Sequence, residues 1–440
     1  MPRTLERFRP VKARVVSAAL LLTSLLPAPA AIKATKTDYW QMAQKAMESG
    51  DFDAALDALD ALLKDSPDHT QGRLWRARIL ADRGQIDEAL SDVEAAAKQE
   101  PQNAAVIAQR GYIYQKKGRL DDAMADFNRA LRINSQDDWA LYCRGLLYAQ
   151  QNALKAALVD LDASIEINPK NAGARLGRAQ ISLRTGKLDQ AEEDFSESTK
   201  LEPKNPAGQI GLGMVYLATK RPEKAVEAFS SAVKLAPKDP RPLVQRAYAY
   251  AALEQPRAAR EDFDAALEIA PKELSALLGR GDLARSQKQW NDALEDYTVV
   301  LGIEPGEYRA IMGRAGAYYG LGKLPEAIKD YADAVQKFPT EAQAANDYAW
   351  VLATGTDDKV RNGAKAVELA DQACKLTEYK FGAFLDTLAA AFAEKGDWDQ
   401  ALKWQQEAVK YSDEETDEVR KQIADRIDLY RQKKPYREQP

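Results

Sequence analysis

The sequence predicts an all-α fold, a solenoid of stacked helix pairs, and three observations support this prediction. Proline recurs every 34 residues, or after 68 residues where Ser135 stands at the proline position. Small residues and alanines recur with the same spacing, and apolar residues three and four positions apart indicate helices on both sides of each turn. A strict period of this length is typical of solenoids. The prolines are Pro67, Pro101, Pro169, Pro203, Pro237, Pro271, Pro305 and Pro339.

Residues 1–30 are expected to be a secretory signal peptide. A basic stretch, MPRTLERFRPVKAR, precedes the apolar core VVSAALLLTSLL, and Ala28 and Ala30 hold the small-residue positions of a cleavage site. This core is well below the about 20 apolar residues of a membrane helix. We therefore expect an exported bacterial protein, periplasmic or secreted, with no integral membrane span after cleavage. An uncleaved start that serves as an anchor is the alternative.

Nine stretches of 34 residues follow over residues 36–341. Small residues let the first and second helix of each stretch approach closely, and an aromatic or aliphatic side chain fills the gap beside them. Proline ends the second helix because it cannot continue the hydrogen-bond ladder, and glycine or a polar residue forms the turn between the helices.

Two further, degenerate units are expected over residues 342–415, the first with extra residues between its helices. Residues 416–440 read as an amphipathic capping helix and a tail, which cover the open apolar face of the last repeat. The final stretch, KKPYREQP, is expected to fray.

This pattern resembles the tetratricopeptide repeat (TPR) family over roughly residues 36–415. The resemblance implies a right-handed α-solenoid of antiparallel helix pairs, the TPR superhelix. It also implies that the first helices line a concave groove that binds a protein or peptide. The two-carboxylate clamp of chaperone-binding members is not predicted, because Trp40 and Gln44 stand where its lysine and asparagine would be.

Charged residues recur in step with the repeat. An arginine precedes the small residue of the first helix in seven units, and an aspartate lies sixteen residues later. Both charges are missing from the same units, where Met42 and Ala58 or Leu212 and Ala228 replace them. We therefore predict structural ion pairs within each unit. These pairs are Arg76 with Asp92, Arg110 with Asp126, Arg144 with Asp160, Arg178 with Asp194, Arg246 with Asp262, Arg280 with Asp296, and Arg314 with Asp330.

The groove positions implied by the family resemblance carry irregular residues. Basic side chains outnumber acidic ones there, and the middle units contribute an apolar strip. Such a surface suits an extended or helical peptide with apolar anchors and some acidic character, although some of these side chains could instead pack against the next repeat. The predicted partner-binding residues are Tyr112, Lys116, Trp139, Tyr142, Leu146, Arg184, Met214, Arg241, Tyr248, Arg285 and Arg309.

No catalytic residue, metal site or cofactor is predicted. The chain has one histidine, His69, which is expected in an exposed turn, and no phosphate-binding loop motif. The two cysteines, Cys143 and Cys374, are expected to be buried apolar residues. Without residues 1–30 the formal net charge would fall from -5 to -9, which disfavours general nucleic-acid binding.

The sequence thus favours a non-catalytic protein–protein interaction scaffold of the cell envelope. The alternative is an accessory or regulatory subunit of a cell-envelope assembly or glycan-modifying enzyme complex. An enzyme with its own activity is disfavoured because no segment of domain size remains outside the repeats.

Overall fold

The computed structural model describes residues 35–412 and 416–438. The predicted signal peptide, residues 1–30, lies outside the described residues. The chain divides into two compact units, residues 1–135 and 136–440, which we call the N-terminal unit and the C-terminal unit. The described residues form 23 α-helices and no strand.

The helices of the N-terminal unit are α1 (Lys36–Ser49), α2 (Phe52–Asp65), α3 (Thr70–Asp82), α4 (Ile86–Gln99), α5 (Ala104–Lys116) and α6 (Leu120–Ile133). The helices of the C-terminal unit are α7 (Asp138–Gln150), α8 (Leu154–Ile167), α9 (Ala172–Arg184), α10 (Leu188–Leu201), α11 (Pro206–Ala218), α12 (Pro222–Leu235), α13 (Pro240–Ala252), α14 (Pro256–Ile269), α15 (Leu274–Ser286), α16 (Trp290–Ile303), α17 (Tyr308–Gly320), α18 (Leu324–Lys337), α19 (Ala342–Thr354), α20 (Gly363–Leu376), α21 (Gly382–Lys395), α22 (Trp398–Lys410) and α23 (Asp417–Arg431).

Odd-numbered helices from α1 to α21 are the first helices of pairs, and each packs against the even-numbered helix that follows it. Successive first helices also contact one another within each unit, as α3 and α5 do and as α9 and α11 do. Many of the first helices therefore pack side by side as well as against their own second helices. This is the all-α solenoid of helix pairs that the sequence predicts.

Polar caps and tight turns fix where the helices begin and end. Asn171 accepts a hydrogen bond from the Ala174 backbone at 3.0 Å, so it caps the start of α9. Gly84 and Gly118 lie in the left-handed backbone region between paired helices, with φ of 81° and 80°. Asn152 takes the same conformation with φ of 59°, so a short polar residue also supports this turn.

Large second-helix side chains fill the space between first helices. A Cβ atom on Gly281 would lie 3.0 Å from the Tyr297 ring, and one on Gly313 of the next pair would lie 2.4 Å from it. Phe195 is 2% exposed and contacts Gly211 of the next pair in the same way. The aromatic side chain therefore joins its own pair to the following one, and not only the two helices of one pair.

The capping helix α23 is fixed by a buried ion pair as well as by apolar contacts. Tyr430 and Ile423 are buried, as the helical spacing predicts. Arg426 is also buried, and its Nη1 donates to Asp386 Oδ2 of α21 at 2.7 Å. Gln405 of α22 donates to the other Asp386 oxygen at 2.5 Å. Burial raises the pKa of Asp386 above its usual range.

Both cysteines are buried and unbridged, as predicted. Burial raises the pKa of Cys374 to about 12, so its thiol stays protonated and unreactive. None of the described helices is both long and apolar enough to cross a bilayer.

Candidate peptide-binding groove

The seven predicted arginine–aspartate pairs each lie within hydrogen-bond distance. Arg110 is typical, since its Nε and Nη2 each donate to one Asp126 oxygen at 2.7 Å. This hydrogen bonding raises the pKa of Arg110. In each of these seven helix pairs, the arginine and the aspartate form two hydrogen bonds that join the first helix to the second. This two-point geometry is the strongest form of the contact. The other pairs are Arg76–Asp92, Arg144–Asp160, Arg178–Asp194, Arg246–Asp262, Arg280–Asp296 and Arg314–Asp330.

Several of these arginines also contact the preceding helix pair, which sequence reasoning missed. Arg178 Nη1 donates to Asp162 at 2.7 Å, and Arg280 Nη1 donates to Asp264 at 2.6 Å. The acceptor lies sixteen residues before the arginine, on the second helix of the preceding pair. The arginine therefore links the two helices of its own pair and also links that pair to the preceding pair.

We call the side of the first helices that carries the predicted partner-binding residues the groove face of each unit. In the C-terminal unit its apolar part lies on α7, α9 and α11. The ring centroids of Trp139 and Tyr142 are 5.4 Å apart. A Cβ atom on Gly173 would lie 2.8 Å from the Tyr142 hydroxyl, and the side chain of Leu146 approaches Gly177 equally closely. Tyr142 and Leu146 are therefore half-buried against α9, so inter-repeat packing takes up part of their surface.

Met214 of α11 differs from these side chains because it is 42% exposed. Ile210 and Leu217 lie on the same helix face, one turn to either side, and both are half-buried. A long flexible thioether exposed on a half-buried apolar strip can adapt its shape to an apolar ligand group. This strip is the part of the groove face best suited to an apolar anchor.

The predicted basic groove residues in the C-terminal unit mostly have local partners. Arg309 donates to Asp282 at 2.6 Å, and Arg241 donates to Asp239 at 2.7 Å. Arg184 donates to a side-chain oxygen of Asn152 at 3.0 Å. Two of these three arginines are therefore paired with carboxylates and the third with a neutral amide, which a count of charges in the sequence could not show.

Tyr248 and Arg285 border different parts of the same face. The Tyr248 hydroxyl donates to the Ser275 carbonyl at 3.1 Å, and the ring packs edge-on against Phe263. Tyr248 therefore serves inter-repeat packing more than ligand contact. Arg285 is exposed and lines a cavity of about 360 Å³ together with the half-buried Asp347, whose pKa is raised by burial.

In the N-terminal unit, Tyr112 and Lys116 lie on the groove face of α5. The Tyr112 hydroxyl donates to Asp82 of α3 at 2.6 Å, and Lys116 Nζ lies 3.8 Å from the same carboxylate. Lys116 also lies 5.3 Å from the Tyr112 ring centroid. The three side chains form one polar cluster between two successive first helices.

Residues 436–438, the last that the structure describes, are held by side-chain contacts and are not frayed, contrary to the sequence-based expectation. Glu438 accepts hydrogen bonds from Tyr319 at 2.6 Å and from the Trp350 indole, and Arg437 donates to Glu394 at 2.5 Å. These contacts join residues far apart in the sequence and follow no period. Nothing in the repeat pattern could have indicated them.

His69 is half-buried rather than exposed, and it caps α3. Its Nδ1 accepts from the Gly72 backbone at 3.0 Å, and its ring lies 5.0 Å from Trp40. The described residues contain no cluster of histidine, cysteine and carboxylate side chains that could hold a metal ion.

Acidification is expected to weaken the start of α3. Burial, and then the charge of Lys36, lowers the pKa of His69 below its ordinary 6.5. The unfolded chain therefore binds a proton more readily, and the stabilisation is present above pH 6.5 and is lost as pH falls below it. Urea unfolding should show that the free energy of unfolding falls by less than about 1 kcal/mol between pH 7.5 and pH 5.5. The variant His69→Asn, whose amide caps without titrating, should lack this loss; equal pH dependence in both proteins would contradict the assignment.

Models of known protein families match these repeats. A family model described as "Tetratricopeptide repeat" matches residues 41–105, 144–206, 176–240 and 312–383, together more than half of the chain. A "TPR repeat" model matches residues 111–152, and a further "Tetratricopeptide repeat" model matches residues 212–279. No curated protein matches the chain significantly.

Among solved structures, a tetratricopeptide repeat protein from Parabacteroides merdae is 23% identical over 56% of this chain and 98% of its own, with a TM-score of 0.40. PilF from Pseudomonas aeruginosa is 19% identical over 47% and 94%, with a TM-score of 0.43. A chain of the APC/C hetero-tetramer Cut9–Hcn1 is 12% identical over 89% and 96%, with a TM-score of 0.48. With its 34-residue period, paired helices and family-model matches, the chain belongs to the tetratricopeptide repeat family.

Proposed function

We propose that this protein is a non-catalytic scaffold that binds a protein or peptide partner on the groove face of its first helices. The exposure of Met214 on the α11 strip supports the proposal most directly. Exposed apolar surface costs free energy in water, and a continuous strip of it commonly marks an interaction site. The TPR fold supports the same general role, since its members act as protein–protein interaction scaffolds and are generally non-catalytic.

The partner segment that fits best is an extended or helical peptide with an apolar anchor. Because the groove arginines mostly have partners of their own, apolar contact should supply more affinity than net charge does. The first helices are held by ion pairs and buried aromatic side chains, so the surface is formed before binding and little ordering cost opposes association.

Replacing Met214 with aspartate is expected to weaken partner capture about tenfold or more, because a charge would be desolvated at the anchor position. Trp139→Ala should weaken capture as well. The matched control is Val159→Asp, at a side chain that is 68% exposed on the second helix α8. Affinity capture from the native compartment, with circular dichroism to confirm folding, measures all three variants.

Equal losses for Met214→Asp and Val159→Asp, or no loss for Met214→Asp, would contradict the groove assignment. The same captures bear on the alternative role. A single stoichiometric enzyme in the captured material would favour an accessory subunit of a cell-envelope or glycan-modifying complex, whereas several weakly held proteins would favour a general scaffold.

We also propose that the chain is exported and acts in the bacterial cell envelope. The basic stretch, the short apolar core and the small residues at Ala28 and Ala30 support this proposal. Cell fractionation with mass measurement of the recovered chain tests it: a full-length chain found only in the cytoplasm would contradict it.

A further inference from the structure

The tail residues 436–438 lie against the groove face of α17, α19 and α21 in the C-terminal unit. Glu438 meets two side-chain donors there, the Tyr319 hydroxyl at 2.6 Å and the Trp350 indole nitrogen. Its backbone nitrogen also donates to the Thr354 carbonyl at 3.1 Å, at the end of α19. Tyr319 and Trp350 lie on α17 and α19, the first helices of two successive pairs.

The two preceding residues are recognised by different chemistry. Arg437 donates to Glu394 of α21 at 2.5 Å and to the Ala353 carbonyl at 3.3 Å. The Tyr436 ring lies 5.8 Å from the Trp350 ring, and the Arg426 guanidinium carbon lies 4.3 Å from the Tyr436 centroid. An aromatic, a basic and an acidic side chain are thus each matched by a complementary group.

The tail carries no regular secondary structure, and most of its contacts are made by side chains. Side-chain contacts to an extended segment are one way in which a groove binds a peptide with sequence specificity. A cavity of about 310 Å³ begins at Glu438 and continues along Trp350 and Tyr319 to Arg285. A longer segment could therefore bind with the same three side chains and extend further toward α15.

We propose that the groove face of α17, α19 and α21 is a peptide-recognition site for an extended segment that carries an aromatic, a basic and an acidic residue in this order. The chain's own Tyr436, Arg437 and Glu438 occupy the site, and a partner segment of the same pattern must displace them. This proposal rests on the proposed scaffold function, and it adds the partner's chemistry and a built-in competitor.

The tail is tethered beside its site, so it competes as though present at millimolar concentration. Four of its residues, 435–438, are only half-buried, and the segment is joined to α23 by a short exposed stretch. If the tail itself binds the site with a dissociation constant of about 100 µM, any external segment would appear about tenfold weaker while the tail is in place.

The test uses the full chain and a fluorescein-labelled synthetic peptide with the sequence of residues 432–440, QKKPYREQP. Fluorescence polarisation should show the peptide binding the released variant Tyr436→Ala/Glu438→Ala at least about tenfold more tightly than the unaltered chain. Lys434→Ala is the matched control, since the side chain of this exposed tail residue donates to Gln432 and not to the proposed site, and the variant should bind the peptide as weakly as the unaltered chain.

Two further measurements address recognition itself. Tyr319→Phe, which removes only the hydroxyl, should weaken peptide binding several-fold in the released variant. A peptide with lysine in place of the glutamate should bind at least about tenfold more weakly than the original peptide, because it would place a cation where two donors point. Glu438→Ala alone provides a milder release if the double variant is less stable.

Equal peptide affinity for the released variant and the unaltered chain would overturn the proposal, and so would absence of binding to both. These outcomes are distinguishable from failure of the scaffold function. If Met214→Asp abolishes partner capture while the peptide binds neither protein, the scaffold function stands and this site does not.

Discussion

Replacing Asp194 with alanine is expected to lower the free energy of unfolding of the C-terminal unit by about 3 kcal/mol. Asp194 is fully buried, and it accepts from Arg178 at 2.7 Å through two nitrogens and from Arg175 at 3.3 Å. Its loss leaves two guanidinium groups without their main acceptor in a poorly hydrated site. Urea unfolding followed by circular dichroism measures the change.

The matched control uses the second carboxylate on the same arginine. Asp162 also accepts from Arg178 at 2.7 Å, but its side chain is 56% exposed. Exposed ion pairs contribute about 0–1 kcal/mol, so Asp162→Ala should have little effect. Similar losses for the two variants would contradict the view that burial makes the arginine–aspartate pair structural. Hydrogen exchange should place the loss of protection for Asp194→Ala in α9 and α10.

The second large effect is expected from Gly211→Ala, which should destabilise the protein by about 1–3 kcal/mol. A Cβ atom at Gly211 would lie 2.2 Å from the Phe195 ring, in a core position where that ring is 2% exposed. The ring or the α11 backbone must move, and the contact between successive helix pairs loosens. Thermal unfolding measures the change.

The control for this glycine is Gly302 in α16, where an added Cβ meets no atom within 4 Å. Alanine favours the helix over glycine, so Gly302→Ala should be neutral or stabilising by about 0.5 kcal/mol. The two substitutions are chemically identical and should differ in sign. The packing account fails if both destabilise the protein to the same extent.

The sequence was sufficient to predict the helix pairs, because the repeat period records contacts that recur in every unit. The prediction that small residues let paired helices approach closely follows from this regularity, and the close approach of Gly213 to the Phe229 ring confirms it. The same regularity led to the prediction of the arginine–aspartate pairs. The additional acceptors Asp162 and Asp264 were missed because their repeat position holds aspartate in only some of the repeats.

The rest depends on contacts that have no period. The pairing of Arg309 with Asp282 joins irregular residues of successive helix pairs, so a count of charges at groove positions could not show which basic side chains have a partner. The tail reaches Tyr319 from Glu438, across 119 residues of sequence. Its binding depends on where residues 436–438 lie in three dimensions, which only the folded structure shows.

In the central account, the regular charges and aromatic side chains stabilise the helix pairs, and the groove face binds the partner. Site-specific photo-crosslinking in the native compartment tests this account most directly. Benzoylphenylalanine would be placed at Met214 on α11 and, in a second protein, at Val159 on α8, both exposed positions. We expect a discrete crosslinked partner from Met214 and none from Val159. Crosslinking to the same partner with equal yield from Val159, or from Val159 alone, would contradict the account.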